Sequence, residues 1–200
     1  MGKPEAVVRV LTRGYRVPSE ILDVANRLLP DLAPLLPPAT SVRPGRGSVS
    51  VHRVADVAPA LPAILTGVLD HAGSVGVIVS DADLPVIAAA LAAAGVSAAR
   101  LSTTDPDDAA DEADVPVGTA AGSPRTTADR PVAERITVLP ASLAKGLEFD
   151  HVVLVEPAAI VAAEDRGLHR LYVALTRAVT SLTVVHSQPL PHQLDSSTAA

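Results

Sequence analysis

Val75-Gly-Val-Ile-Val79 is a continuous apolar run, and such a run is typical of a strand that is covered on both faces of a sheet. Asp81 and Asp83 follow it and are candidate caps for a helix that has Pro85 in its first turn and ends at Gly95. A buried strand that leads directly into a helix is the repeating unit of a parallel α/β sheet.

The same alternation of strands and helices continues on both sides of this unit. Apolar patterning predicts further strands at 49–54, 99–102, 135–139, 151–155 and 182–186, and helices that begin near Pro18, span 57–69 and follow a cap at Asp165. In the last helix, Leu168, Leu171, Tyr172, Leu175 and Val179 recur at helical spacing. We therefore predict an α/β fold, a parallel sheet flanked by helices, in a single domain over 1–200.

Three segments interrupt this pattern. Residues 30–47 are proline-rich and form a predicted connection, and residues 188–200 form a predicted C-terminal tail. Residues 103–131 lack periodicity, and six acids without a base between 105 and 114 account for the formal net charge of −6. We predict an acidic, flexible insertion there, which leaves the rest of the chain near neutral.

Composition excludes several classes of protein. The chain has no cysteine, so a disulfide framework and a thiolate metal site are excluded. Its most apolar stretch, 84–94, is too short for a membrane span, which needs roughly 20 apolar residues, and the N-terminus does not resemble a signal peptide. We predict a soluble, cytoplasmic protein with no membrane partner.

The chain also lacks a phosphate-binding loop of the type Gly-x-x-x-x-Gly-Lys-Ser/Thr. Backbone N–H groups and the lysine of that loop supply the main contacts to the β- and γ-phosphates of ATP in P-loop enzymes. An ATPase that functions from this chain alone is therefore not expected.

The first of three segments with candidate functional residues is Leu11-Thr-Arg-Gly-Tyr-Arg-Val-Pro-Ser-Glu-Ile21. Tyr15 offers a ring face for a nucleobase, a stacking contact worth about 1–3 kcal/mol. Arg16 offers a planar fork for phosphate oxygens. The alternative interpretation is a helix N-terminus with surface arginines.

The second segment, Pro140-Ala-Ser-Leu-Ala-Lys-Gly-Leu-Glu-Phe-Asp150, lies between two predicted strands. Ser142 and Lys145 can contact phosphate, and Gly146 allows a close approach of the backbone. Glu148 can accept hydrogen bonds from ribose hydroxyls. The alternative interpretation is an ordinary connection whose phenylalanine fills the core.

The third segment, Leu171-Tyr-Val-Ala-Leu-Thr-Arg-Ala178, belongs to the predicted helix before the last strand. Arg170 and Arg177 are seven residues apart and are predicted to share a helix face. The alternative interpretation is an amphipathic helix with an exposed arginine.

In this order, the three segments resemble motifs IV, V and VI of UvrD-like superfamily 1 helicases, over residues 11 to about 187. Residues 172–191 most resemble HelD proteins, the helicase-IV-like motors that release stalled RNA polymerase in bacteria. The resemblance implies the RecA-like, P-loop NTPase type of fold without its own P-loop, in the position of the second motor domain.

In that family, two RecA-like domains sandwich ATP, and the first supplies the P-loop, the Mg²⁺-binding acids and the catalytic glutamate. The resemblance implies that Arg16 and Arg177 reach the γ-phosphate across the cleft. An arginine finger of this kind contributes about 10³–10⁵ in rate. The metal ligands are accordingly expected on the partner domain.

The resemblance implies cofactor contacts for three other residues. Tyr15 is expected to stack on adenine, and Gly146 and Glu148 are expected near the γ-phosphate and the ribose. Ser142 and Lys145 are expected to link the ATP site to the nucleic-acid track, which makes single-stranded DNA an expected partner.

The chain departs from the family pattern in two respects. Members often have a large domain inserted between motifs IV and V, whereas most of 22–139 here is used by predicted strands and helices. The asparagine that is common before the tyrosine of motif IV is Gly14 here. The missing inserted domain favours a translocase or a polymerase remodeller over a duplex-unwinding helicase.

Two functional hypotheses follow. The first is the C-terminal half of an ATP-dependent helicase or translocase, which requires a P-loop partner domain and has RNA polymerase complexes as a candidate target. The second is a non-catalytic RecA-like module that docks on RNA polymerase or another protein. An unrelated nucleotide-binding domain is a third interpretation, but the glycine-rich loop that it predicts after the first strand is missing.

Overall fold

The computed structural model describes residues 13–43, 47–102 and 135–195. In chain order, the strands are β1 (Arg13–Gly14), β2 (Thr40–Ser41), β3 (Ser48–Arg53), β4 (Val75–Val79), β5 (Ala99–Arg100), β6 (Ile136–Pro140), β7 (Phe149–Val155) and β8 (Ala178–His186). The helices are α1 (Ser19–Asn26), α2 (Leu29–Leu32), α3 (Val57–Leu69), α4 (Leu84–Ala93), α5 (Pro157–Ala162) and α6 (Gly167–Leu175), and a 3₁₀ turn spans Ala141–Leu143.

Six strands form one sheet in the order β3-β8-β7-β4-β6-β5, and every neighbouring pair is parallel. β1 and β2 form a separate parallel pair. This architecture confirms the predicted parallel α/β sheet flanked by helices. All five residues of β4 are buried, as expected for a strand that has neighbours on both sides and a hydrophobic core on each face.

The two cores differ in the helices that cover them. On one face, α1 and α6 pack on β7 and β8 through side chains such as Ile21, Leu171 and Leu182. On the other face, α3 and α4 pack on β4 and β6 through side chains such as Leu61 and Ile87. The protein therefore has three layers, with the sheet between two layers of helices. Functional residues can be exposed at the two edges of the sheet and at the two ends where its strands begin or finish.

The C-terminal helices differ from the prediction. The sequence predicts Asp165 as the cap of the last helix, but the N-cap residue of α6 is Arg166, and its side chain makes no capping hydrogen bond. α6 ends at Leu175, so Val179 belongs to β8, which begins at Ala178. The apolar spacing continues past the helix because the first residues of β8 are apolar too, and periodicity cannot locate that boundary.

The acids that follow β4 also act differently from the prediction. Asp83 occupies the N-cap position of α4 but makes no side-chain bond to the helix N-terminus. Instead, Ser80 donates its hydroxyl to the Asp83 carboxylate at 2.7 Å. Ser142 donates its hydroxyl to Asp81, so Asp81 links the end of β4 to the end of β6 rather than capping a helix.

The predicted acidic insertion, 103–131, lies outside the described residues. The predicted C-terminal tail, 188–200, is described as far as Asp195, and its Leu190 and Leu194 pack against the core that α1 covers. Within the described ranges, none of the helices combines the length and apolarity of a membrane span.

Candidate functional site

Three of the predicted site residues meet at one end of the sheet. In a parallel sheet, all strands begin at the same end, and Glu148 directly precedes β7 while Arg177 directly precedes β8. Arg16 reaches the same place from the loop between β1 and α1 and forms an ion pair with Glu148. We call Arg16, Glu148 and Arg177 the arginine cluster.

The arginine cluster is open to solvent and contains more positive than negative charge. The side chains of Arg16 and Glu148 are 57% and 40% exposed. Burial lowers the pKa of Arg177, the nearby Glu148 carboxylate opposes that shift, and the positive charge of Arg16 adds to it. Two guanidinium groups therefore share one carboxylate, an arrangement that attracts a further anion.

Arg177 is half-buried and held in place by hydrogen bonds. Its Nε donates to the carbonyl of Val173 at 3.0 Å, its Nη1 to the carbonyl of Leu147 at 3.0 Å, and its Nη2 to Oγ1 of Thr176 at 3.3 Å. These bonds join the end of α6 to the loop that precedes Glu148. Because each Nη atom has two hydrogens, these bonds leave a second hydrogen on both Nη1 and Nη2 for an outside acceptor.

Tyr15 and Gly146 adjoin the arginine cluster in sequence. Tyr15 is 72% exposed, so its ring presents a face to solvent. Gly146 has φ +88, and apart from its two chain neighbours no residue has an atom within 4 Å of the position a Cβ would occupy. The positive φ accounts for glycine here, and the open space lets another group approach the backbone.

Ser142 lies at the opposite end of the sheet, and Lys145 lies on the connection that runs from there to the start of β7. Both line a cleft of about 310 Å³, which adjoins a cleft of about 220 Å³ that also includes Ser142. We call the two clefts together the carboxyl-end groove, because it follows the last residues of β4, β6 and β7. Its polar lining residues are Ser80, Asp81, Ser142, Lys145, Glu164, Arg166, His169 and Arg170.

An ion pair crosses the carboxyl-end groove. Arg170 donates to the carboxylate of Glu164, and this hydrogen bond lowers the pKa of Glu164 and raises the pKa of Arg170. The positive charges of Lys145 and Arg166 remain at the surface of the groove. Open α/β sheets commonly bind ligands at this end of their strands, so the groove is a second candidate site.

The prediction that Arg170 and Arg177 share a helix face is wrong. Arg170 lies in α6 and lines the carboxyl-end groove, whereas Arg177 lies beyond the end of α6 and belongs to the arginine cluster. Spacing alone could not reveal this, because the helix ends between them.

Arg43 was missed in the sequence. Its Nη1 donates to the carbonyl of Arg16 at 3.3 Å and to that of Val179 at 3.4 Å, so it bridges the two segments that contain the arginines of the cluster. It lies in the proline-rich stretch predicted to be a connection. Nothing local distinguishes it from a surface arginine, so only its contacts in the folded chain identify it.

The arrangement fits a nucleotide better than a metal ion. The exposed ring of Tyr15 can stack on a base. The open backbone at Gly146 leaves room for a phosphate to approach closely. The excess of guanidinium groups can neutralise the charge of that phosphate. Within the part of the chain that the structure describes, no group of three or more His, Asp or Glu residues is placed to hold a metal ion.

Part of the chain matches a known protein family in sequence. Residues 136–185 match the family model of the UvrD-like helicase C-terminal domain. This range begins at β6 and ends in β8, and it includes Ser142, Lys145, Glu148 and Arg177. No curated protein matches the chain in sequence.

Comparison with solved structures gives alignments over most of this chain. The C-terminal domain of a possible DNA helicase from Lactobacillus plantarum WCFS1 aligns over 93% of this chain and 95% of that chain, with 19% identity and a TM-score of 0.57. Two structures of arterivirus nonstructural protein 10 (helicase), one of them with DNA, align at 14% and 15% identity with a TM-score of 0.42. This chain spans about a third of their length, 34% in both cases.

Proposed function

We propose that this chain is the second motor domain of a UvrD-like helicase or translocase and completes an ATP site whose P-loop lies on another domain. The observation that supports this most strongly is the meeting of Arg16, Glu148 and Arg177 at one exposed end of the sheet. The match of residues 136–185 to the UvrD-like C-terminal family is independent support.

Each residue has a proposed part in this site. Tyr15 stacks on the base, and Glu148 accepts hydrogen bonds from the ribose. Arg16 and Arg177 neutralise charge on the γ-phosphate, and the hydrogen bonds to Val173 and Leu147 hold the Arg177 guanidinium before substrate arrives. Such preorganisation stabilises a transition state because no reorientation is needed when charge develops. ATP, with Mg²⁺ ligands on the P-loop domain, supplies the free energy for movement.

Single-stranded DNA is the proposed partner of the carboxyl-end groove. Lys145 and Arg166 offer positive charge to phosphates, whereas the hydroxyl of Ser142 would have to turn away from Asp81 to donate to one. Because Lys145 and Gly146 are consecutive, a shift of this loop on DNA binding would reach the ATP site directly. Chain continuity thus gives one route by which DNA binding could affect the ATP site.

The DNA proposal predicts a salt-dependent effect of one lysine. Lys145→Ala should weaken single-stranded DNA binding and reduce the salt slope by about 0.7, the value for one phosphate contact on a single strand. Arg53→Ala, the control, removes the same charge from the edge strand β3, which does not line the groove. Fluorescence anisotropy at several salt concentrations measures both. If the salt dependence of DNA binding had the same slope in both variants, the carboxyl-end groove would not be the DNA-binding site.

We further propose RNA polymerase complexes as the target on which the motor acts. It rests on the similarity of residues 172–191 to HelD proteins. Pull-down of purified RNA polymerase by the chain, with the Lys145→Ala variant as a control for nucleic-acid bridging, tests it. Loss of capture after nuclease treatment would leave DNA as the partner.

The isolated chain should bind nucleotide weakly and should not hydrolyse ATP above background, because the P-loop contacts are missing. In an NMR titration with a non-hydrolysable ATP analogue, we expect shifts at Tyr15, Gly146, Glu148 and the Nε of Arg177. A parallel assay for phosphate release should give no signal. Measurable turnover, or shifts confined to other parts of the chain, would contradict the proposed site.

The second candidate function is a non-catalytic docking module. The bonds that Arg177 makes to the protein's own carbonyls favour it, because they are also what a structural arginine makes. The titration separates the two functions, since a docking module has no reason to respond to nucleotide at Tyr15 and Arg177 together.

A further inference from the structure

The ion pair in the arginine cluster joins the two groups that the proposed nucleotide site assigns to different parts of the ligand. Arg16 is assigned to phosphate and Glu148 to ribose, yet in this structure they bind each other. A nucleotide bound as proposed, with phosphate on Arg16 and ribose on Glu148, would therefore separate them. After separation, the Glu148 carboxylate lies close to the anion that is bound to Arg16.

We propose that Glu148 acts as an internal counter-ion that makes the site select nucleoside polyphosphates over inorganic polyphosphates. The inference rests on the proposed function and adds a specificity-determining role to one of its residues. A nucleotide offers phosphate to Arg16 and hydroxyl donors to Glu148, so both partners of the broken ion pair are satisfied. Inorganic polyphosphate satisfies Arg16 alone and leaves two like charges close together.

The surroundings of Arg16 allow this exchange without refolding. Its carbonyl accepts a hydrogen bond from Arg43 Nη1, which also donates to the carbonyl of Val179. The backbone of Arg16 is thus attached to the start of β8, while its side chain is 57% exposed. The guanidinium can move from carboxylate to phosphate while the main chain stays in place.

The charge balance of the cluster sets the direction of the effect. Arg177 interacts electrostatically with both members of the ion pair, with Glu148 favourably and with Arg16 unfavourably. Removing the carboxylate charge therefore leaves two guanidinium groups without an internal counter-ion, so the affinity of the site for any polyanion should rise. For one unit charge at contact range near a protein surface, a gain of about tenfold in affinity is expected at low salt.

The test compares tripolyphosphate with ATP on the purified chain, both without Mg²⁺, by NMR titration. Glu148→Gln keeps the shape of the side chain and removes its charge. We expect its tripolyphosphate affinity to rise about tenfold, while its ATP affinity changes less because a ribose contact is weakened. Glu148→Ala should shift tripolyphosphate binding in the same direction, and the double variant with Arg16→Ala should lose the gain.

The control is Asp23→Asn, which removes the same charge from an exposed position on α1 outside the cluster and should leave the ratio of the two affinities unchanged. If Glu148→Gln leaves tripolyphosphate binding unchanged while ATP still shifts Tyr15 and Arg177, the selectivity role is wrong and the nucleotide site stands. If neither ligand shifts these residues, the proposed function itself is wrong.

Discussion

Replacing Arg177 with alanine in a protein that joins this chain to a P-loop domain is expected to lower kcat at least about 10²-fold. Arg16→Ala should have a similar effect, because each change removes positive charge from the place where phosphate charge develops. KM for ATP should rise less than kcat falls, since the P-loop holds most of the contacts to bound ATP. Steady-state ATPase assays give both values.

Replacing Arg16 or Arg177 with lysine should not restore kcat either. A single ammonium group cannot reproduce the planar fork of a guanidinium. In Arg177→Lys, one nitrogen atom would replace the separate Nε and Nη1 atoms that bond the carbonyls of Val173 and Leu147, so the two anchoring bonds and the fork for phosphate could not be kept together. Near-normal kcat in that variant would therefore show that charge alone is sufficient and that the preorganised guanidinium is unimportant.

The folded structure changes one part of the expectation for Arg177. Sequence reasoning predicts little effect on stability for either arginine, because neither fills the core. Arg177, however, is half-buried and bonds two backbone carbonyls, so its loss should destabilise the fold by about 1–3 kcal/mol. Arg16, which is more than half exposed, should still have little effect.

A matched control separates stability from catalysis. Arg135 also donates to backbone carbonyls, those of Leu69, His71 and Gly73, at the amino end of β6. Arg135→Ala should destabilise the fold to a similar degree and leave kcat unchanged. An equal loss of kcat in both variants would mean that destabilisation, and not a lost phosphate contact, explains the effect of Arg177→Ala.

Phe149→Ala is expected to produce the largest loss of stability, about 3–5 kcal/mol. Phe149 is the only phenylalanine in the chain, is 8% exposed, and begins β7 directly after Glu148. Its ring covers Gly76 in the central strand β4, where a methyl group added to the glycine would overlap Cδ2 of the ring. Chemical denaturation monitored by circular dichroism measures the change.

Gly76→Ala tests the same contact from the other side. A methyl group forced against the ring should cost about 1–3 kcal/mol. In the double variant with Phe149→Leu, the smaller side chain leaves room for that methyl group, so the combined loss should be less than the sum of the two single losses. Strict additivity would show that Gly76 and Phe149 do not share a packing contact.

Local patterns predict most of the elements. Helix α3 is found at the bounds that the sequence predicts, 57–69, and β4 is buried throughout as its apolar run indicates. The failures lie where local signals are ambiguous. Helix α5 was missed because it has only six residues, too few for a helical period to stand out.

The chemistry of the candidate residues could be predicted from their types, whereas their grouping was implied only by the resemblance to motifs IV, V and VI. The chemistry of Tyr15, Arg16, Glu148 and Arg177 could be assigned because a ring, a carboxylate and a guanidinium have the same properties in any fold. Residue types and local patterns do not predict their grouping, since it depends on which strands are neighbours. Arg43 was unpredictable for the same reason, because its role consists of contacts with two distant segments.

By itself, the sequence determined the parallel α/β class, the missing P-loop and the residue types available for nucleotide chemistry, because these follow from short-range patterns and composition. Only the tertiary structure decided which of those residues meet. The placement of β8 beside β7 brings Glu148 and Arg177 together at the amino ends of these strands. The connection from β6 crosses to the start of β7, so Ser142 stays at the carboxyl end while Glu148 reaches the other. Strand order comes from long-range backbone pairing and burial, which no short stretch of sequence encodes.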